Sequence, residues 1–164
     1  TTHARGLFRL RCRMRVLGID FGQRRIGLAL SDASGILATP ATTIERVTPE
    51  ADPVALVRGA LQRLSGEDPI SRIVVGLPRR LDGRDNDQTS GVRKFAAELG
   101  IQTGLPISLQ DERLTSREAE ARLALRERDW RRRKHRLDAA AAAIVLQDWL
   151  DEQRAPGRPS EGEG

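Results

Sequence analysis

The sequence predicts an α/β domain with a mixed five-stranded sheet, its first three strands antiparallel, and helices on both faces. Three observations carry that expectation. Two apolar runs, Val16-Leu17-Gly18-Ile19 and Ile26-Gly27-Leu28-Ala29-Leu30, flank a short polar turn, as in a hairpin whose strands are covered on both faces. Later apolar runs alternate with helical periodicity, the pattern of parallel strands joined by helices. No run of apolar residues approaches the length of a membrane span.

The first strand runs from Arg15 and ends at Asp20, before Phe21-Gly22. Gln23-Arg24-Arg25 turns the chain into the second strand, and Gly35 to Ile44 is the expected third. Pro40, which cannot donate to a sheet ladder, places that strand at an edge. Asp52-Pro53 pairs an N-cap with proline at the first helical position, and Val54, Val57, Leu61 and Leu64 mark the buried face of the helix that follows. Its stop is Ser65-Gly66. Arg72 to Leu77 is the fourth strand, broken by Pro78. A polar, basic loop, 79–86, leads to a second helix with Val92, Phe95, Ala96 and Leu99 on one face and Gly100 as its expected stop. Pro106 to Gln110 is the fifth strand, running into Asp111-Glu112. Thr115-Ser116-Arg117-Glu118 reads as a capping box opening a third helix, and the last helix is expected from near Leu137 to about Leu150. Residues 1–13, which lack acids and carry four arginines, are expected to be a disordered extension, 14–150 the folded domain, and the Pro-, Gly- and Glu-rich 151–164 a disordered tail.

At 164 residues the chain is long enough for one substantial core, but aromatics make up only 3% and tyrosine is absent, so that core must be aliphatic. The net charge of +5, carried almost wholly by arginine, favours a polyanionic partner, since the guanidinium fork binds phosphate oxygens in pairs. Cys12 is the single cysteine, which excludes an internal disulfide and fits a reducing, cytoplasmic setting.

In mixed sheets, sites lie beyond the carboxyl ends of the strands. Asp20 ends the first strand and Glu112 follows the fifth. Asp138 is expected in the first turn of the last helix, where the helix dipole favours its anion. The alanines behind it would let that helix lie close on the sheet. Taken singly, each acid has a plainer role: a turn residue for Asp20, an ion pair with an arginine for Glu112, a helix-start charge for Asp138. Together they form a candidate catalytic and metal-binding set. Clustered carboxylates repel and need cations, and an oxygen-only donor set selects Mg²⁺ or Mn²⁺. Two such ions would suit phosphodiester hydrolysis.

Arg128 to Arg136 carries six cations around Trp130 and precedes Asp138, either as a solvated face or as a phosphate clamp with a stacking indole. The residues expected to contact nucleic acid are Arg24, Arg25, Arg79, Arg80, Arg84, Arg113, Arg131, Arg132, Arg133, Lys134 and Arg136. An actin-like or sugar-kinase ATPase also begins with an apolar strand, Asp and Gly, but that fold requires a much longer chain.

The blocks GIDFGQRRIGLALSD, IVVGLPRRLDG, DERLTS and RLDAAAAAIVLQDWL resemble those of the YqgF (RuvX-like) family over Met14 to Leu150. The resemblance implies an RNase H-like fold with acids at Asp20, Glu112 and Asp138, and Lys134 matches a commonly basic position. Ser116 stands where the family usually has a second threonine. The implied activity is a divalent-metal nuclease that matures the 5′ end of pre-16S rRNA. A Holliday junction resolvase acting on branched DNA, or an inactive RNA-binding assembly factor, are the alternatives. A resolvase should be a dimer, and the chain has no evident dimer stripe. The expectation is therefore RNA, with the protein a monomer or weak homodimer.

Overall fold

The computed structural model describes residues 14–48, 50–66, 68–78, 88–112 and 130–154, with side chains of the last segment described from Asp138 onward. Five strands form one sheet: β1 (Arg15–Phe21), β2 (Arg25–Ser31), β3 (Ala38–Glu45), β4 (Ile70–Leu77) and β5 (Ile107–Asp111). Their order is β3-β2-β1-β4-β5. The β1–β2 and β2–β3 pairs are antiparallel, and β1–β4 and β4–β5 are parallel. This is the mixed, RNase H-like sheet that the sequence predicts. The described helices are α1 (Pro53–Leu64), α2 (Thr89–Thr103) and α3 (Trp130–Arg154). None is long and apolar enough to cross a membrane.

Alternation along the strands sorts the side chains into two layers. Leu17, Ile19, Ile26, Leu28, Ile73, Val75 and Leu77 share one core with Val54 and Val57 of α1 and Val92, Phe95 and Leu99 of α2. Val16, Ala29 and Val74 face the other way and pack with Ala142, Val145, Leu146 and Leu150 of α3. Gly18 also lies on this second face, and an added Cβ there would come within 2.7 Å of Leu146 Cβ. The alanine run does bring α3 close to the sheet.

Local signals explain most boundaries. The Asp52 carboxylate accepts the Val54 N–H at 3.0 Å, with Pro53 opening α1 as expected. Ser65 ends that helix, its N–H donating to Leu61 O at 2.9 Å. Pro40 does lie in an edge strand, at a register shift opposite Leu28 and Ala29. That strand begins at Ala38 rather than Gly35, because Asp32 folds the preceding residues into a turn. Its Oδ1 accepts the N–H groups of Ile36 and Leu37, and its Oδ2 accepts the Ser34 hydroxyl.

Three helix ends differ from expectation. Gly100 does not stop α2, which continues to Thr103 and is capped by Gly104 in the left-handed region at φ 71°. Gly100 instead packs under β5, where an added Cβ would stand 3.0 Å from Ile107. The last helix starts at Trp130, not near Leu137, because arginine and lysine are good helix formers and nothing interrupts the basic run. It also extends through Asp151–Arg154, residues expected in the tail. Asp151 accepts there from Gln147 and Arg154. The capping box at 115–118, the extension 1–13 and residues 155–164 lie outside the described residues.

Candidate active site

Asp20 is the penultimate residue of β1, opposite Gly27 in the β1–β2 register, and alternation turns it toward α3. Glu112 lies one residue beyond β5. Its N–H donates to Leu77 O at 3.2 Å, which carries the β4–β5 ladder one step further and keeps the alternation intact. Asp111, paired with Leu77, therefore points to the α1/α2 side and Glu112 to the α3 side. Space for the Glu112 carboxylate comes from Gly76, where an added Cβ would stand 2.5 Å from Glu112 Oε2. Asp138 comes down onto β2 at Gly27, where an added Cβ would lie 2.0 Å from the Asp138 carbonyl oxygen. Two glycines in strand interiors thus clear the room in which strand and helix acids approach one another.

The structure brings Asp20 and Glu112 together, with a hydrogen bond between their side chains. Burial, then the neighbouring Asp20 charge, pushes Glu112 up to about 9. Burial also raises Asp20, to about 6, with the Asp138 charge adding to the rise and the hydrogen bond from Glu112 opposing it. The pair therefore holds a proton to higher pH than a solvent-exposed carboxyl would. Glu112 Oε2 is buried and has no hydrogen-bond partner.

Asp138 is held differently. Arg25 Nε donates to its Oδ2 at 2.7 Å, with both side chains about a quarter exposed (28% and 24%). The plain ion pair imagined for Glu112 belongs to Asp138 instead. Asp138 is also the ninth residue of α3, not a first-turn residue, so the helix dipole invoked for it does not act there. Among the described residues, no group of three or more His, Cys, Asp or Glu side chains stands ready to hold a metal ion. On the α3 side the Asp138 charge is met by the Arg25 guanidinium.

Of the cations expected to contact nucleic acid, Arg24 and Arg25 line a cleft at the β1–β2 turn with Gln23, Glu45, Arg46 and Val47. Arg25 thus serves the acids as well as the cleft. Arg79, Arg80, Arg84 and Arg113 lie outside the described residues, as do the side chains of Arg131, Arg132, Arg133, Lys134 and Arg136. Sequence reasoning missed Gly27, Gly76 and Arg46. An isolated glycine inside an apolar strand is a readable sign of close backbone approach. Arg46 carried no comparable signal.

Residues 14–152 match the family model described as "RuvX: Holliday junction resolvase". A protein of Picosynechococcus sp. named "Putative pre-16S rRNA nuclease" is 43% identical over 143 residues, covering 87% of this chain and 96% of that protein. One of the same name from Maridesulfovibrio salexigens is 44% identical over 137 residues, covering 84% and 98%. Among solved structures, Thermus thermophilus RuvC in complex with a Holliday junction substrate superposes with a TM-score of 0.49 at 18% identity, covering 85% of this chain and 95% of that one. The family match spans all three acids and both glycines that make room for them, and the chain belongs to the RuvX (YqgF) family.

Proposed function

We propose that this protein is a divalent-metal-dependent nuclease that hydrolyses phosphodiester bonds of structured RNA, with the 5′ end of pre-16S rRNA as its substrate. One observation carries the metal reading: Glu112 Oε2, a buried acceptor without a donor, lies beside the Asp20 carboxylate, on which the Asp138 charge also acts. A buried oxygen left unpaired costs about 1–3 kcal/mol, and a cation would remove that cost. The donors are all hard oxygens, which fits Mg²⁺ or Mn²⁺, as one ion or a pair.

Asp20, Glu112 and Asp138 would hold the ion. When bound, it supplies the charge that makes a water nucleophilic at neutral pH and stabilises the departing oxygen. The chain's own residues do the rest. To hold an ion, Glu112 would be ionised and the Asp138 carboxylate would be freed from the Arg25 guanidinium. Arg25 and Arg24 then stand beside the acids with their charges toward incoming phosphate. The rigid sheet fixes Asp20, while α3 fixes Asp138 from above.

The names of the relatives favour RNA. The family description favours a second reading, cleavage of branched DNA. A monomer or weak homodimer working in the cytoplasm fits either. The test is a parallel cleavage assay on a pre-16S rRNA fragment, single-stranded RNA and a four-way DNA junction, with Mg²⁺, Mn²⁺ or excess EDTA. Faster metal-dependent cleavage of the rRNA fragment is expected. Undiminished cleavage in EDTA would remove the mechanism, and preference for the junction would transfer the substrate to DNA.

A further inference from the structure

We propose that the cleft at the tip of the β1–β2 hairpin is a seat for a backbone phosphate of the substrate strand, with Arg46 as its fixed cation. The inference rests on the nuclease reading and adds to it a binding residue and a place for the strand.

Arg46 follows the last residue of β3. Its N–H donates to Arg24 O at 2.8 Å, tying the end of β3 to the hairpin turn. The side chain is half-buried and held on two sides. Nη1 donates to Gly22 O at 3.3 Å, and Cζ lies 5.4 Å from the centre of the Phe21 ring. Phe21 in turn stacks on Phe95 of α2, with ring centres 4.3 Å apart and planes at 21°. The platform under this guanidinium is therefore part of the core, and a cation over an aromatic face is favourable in its own right.

What the platform does not supply is a partner for Nε. That atom is buried and makes no hydrogen bond. No carboxylate pairs with Arg46 among the described residues. The Arg46 charge thus has no counter-ion among the described residues, and the groups that answer a guanidinium lining a cleft most fully are anionic oxygens. Glu45, the acid that also lines the cleft, has an interaction of its own. It stands opposite Arg25 in the β2–β3 ladder.

The surroundings match an anion. The cleft has a volume of about 680 Å³, and among the described residues three arginines and one glutamate line it. That volume falls within the roughly 300–1,000 Å³ usual for small-ligand sites. Val47 at its rim is 87% exposed and offers apolar surface to a sugar. Arg25 lines the cleft and also bonds Asp138, so one side chain joins it to the acid cluster. A strand seated here would pass beside the acids rather than lie at a remote patch.

The test is fluorescence anisotropy of a labelled RNA oligonucleotide in EDTA, across a salt series, with melting curves for every variant. Arg46→Ala should weaken binding about tenfold and lower the salt slope by about one ion. Arg46→Lys should recover the slope but only part of the affinity, because an ammonium lacks the fork. Arg58→Ala makes the same change in net charge on α1, where Arg58 bonds Gln102, and should alter neither quantity. Unchanged affinity and slope in Arg46→Ala, or an equal loss in Arg58→Ala, would overturn the seat. So would a lowered melting temperature with unchanged affinity, which would make Arg46 a brace for Phe21 only. Inorganic phosphate competing as well as unlabelled RNA would overturn the assignment to a polymer backbone. RNA bound through Arg46 but not cleaved in any metal would refute the nuclease reading and leave the seat standing. Failure of the wild-type protein to bind any nucleic acid would refute both.

Discussion

On the α1/α2 side of the sheet, β1 presents Leu17 and Ile19 to Val57, Phe95 and Leu99. On the α3 side the same strand presents Val16, Gly18 and Asp20 to a helix of alanines. The first layer fills its space with long side chains, whose burial is worth about 1.5–3 kcal/mol each. The second gives up side-chain volume at Gly18, Gly27 and Gly76 so that a helix backbone and the Glu112 carboxylate can come within contact of the strands. The thick layer holds the fold together, and the thin layer sets the distances on which the proposed chemistry depends. A site built from backbone proximity is more rigid than one built on long side chains, but it tolerates no added atoms.

Breaking the thin layer's chemistry should have the largest effect. Asp20→Asn keeps the shape and removes one of the crowded charges, so cleavage should fall by at least about a hundredfold while the melting temperature holds or rises. Wild-type rates in that variant would separate the acids from function. Gly27→Ala should come next. Its methyl meets the Asp138 backbone, so α3 must shift, and both activity and melting temperature should drop. A fully active Gly27→Ala protein would show that the close approach is dispensable. Leu17→Ala sharpens the contrast from the other side, as a cavity costing about 2–5 kcal/mol. It should lower the melting temperature strongly, with cleavage per folded molecule nearly unchanged. A selective loss of activity there would mean the two layers are not separable.

A further effect concerns pH. Asp20 and Glu112 have folded values raised above their usual 3.8 and 4.5, to about 6 and about 9, chiefly by burial. For a carboxyl raised in this way the folded state binds protons more tightly than the unfolded one. Its stabilising contribution is complete below the unfolded value and is lost as pH rises through the folded value. The metal-free protein should therefore lose melting temperature gradually from about pH 5 to about pH 9 through these two groups. Glu112→Gln should flatten the upper part of that decline. Identical melting profiles for the two proteins would show that Glu112 carries no such proton.

Much of the thick layer was legible in the sequence, because alternation in β1 and β2 and the spacing of Val92, Phe95 and Leu99 are direct records of what must be buried. Asp52-Pro53 likewise announced α1 through local chemistry. The stop of α2 was misplaced because Gly100 and Gly104 look alike in sequence, while only the second adopts φ above zero. The start of α3 was hidden because a run of arginines reads as a separate solvated segment although it propagates a helix well. In the thin layer, the positions of Asp20 and Glu112 at strand ends and of Asp138 beside the alanine block were legible. Arg25's bond to Asp138 was not, since 113 residues separate the two and neither has a local pattern that names the other. Arg46 depends on Phe21 lying beneath it, which only the β2–β3 pairing brings about.

The most direct test of the central claim, that the carboxylates of the thin layer form one cation site, is Mn²⁺ titration by calorimetry. It would be run on the wild-type protein and on Asp20→Asn, Glu112→Gln, Asp138→Asn and Asp111→Asn. Asp111 is the control, since it pairs in register with Leu77 and points to the opposite layer. Mn²⁺ should bind the wild-type and Asp111→Asn proteins alike, with protons released as Glu112 ionises, and binding should be lost or weakened at least about tenfold in the other three. Unaltered Mn²⁺ binding in Asp20→Asn, or its loss in Asp111→Asn with Glu112→Gln unaffected, would contradict the account.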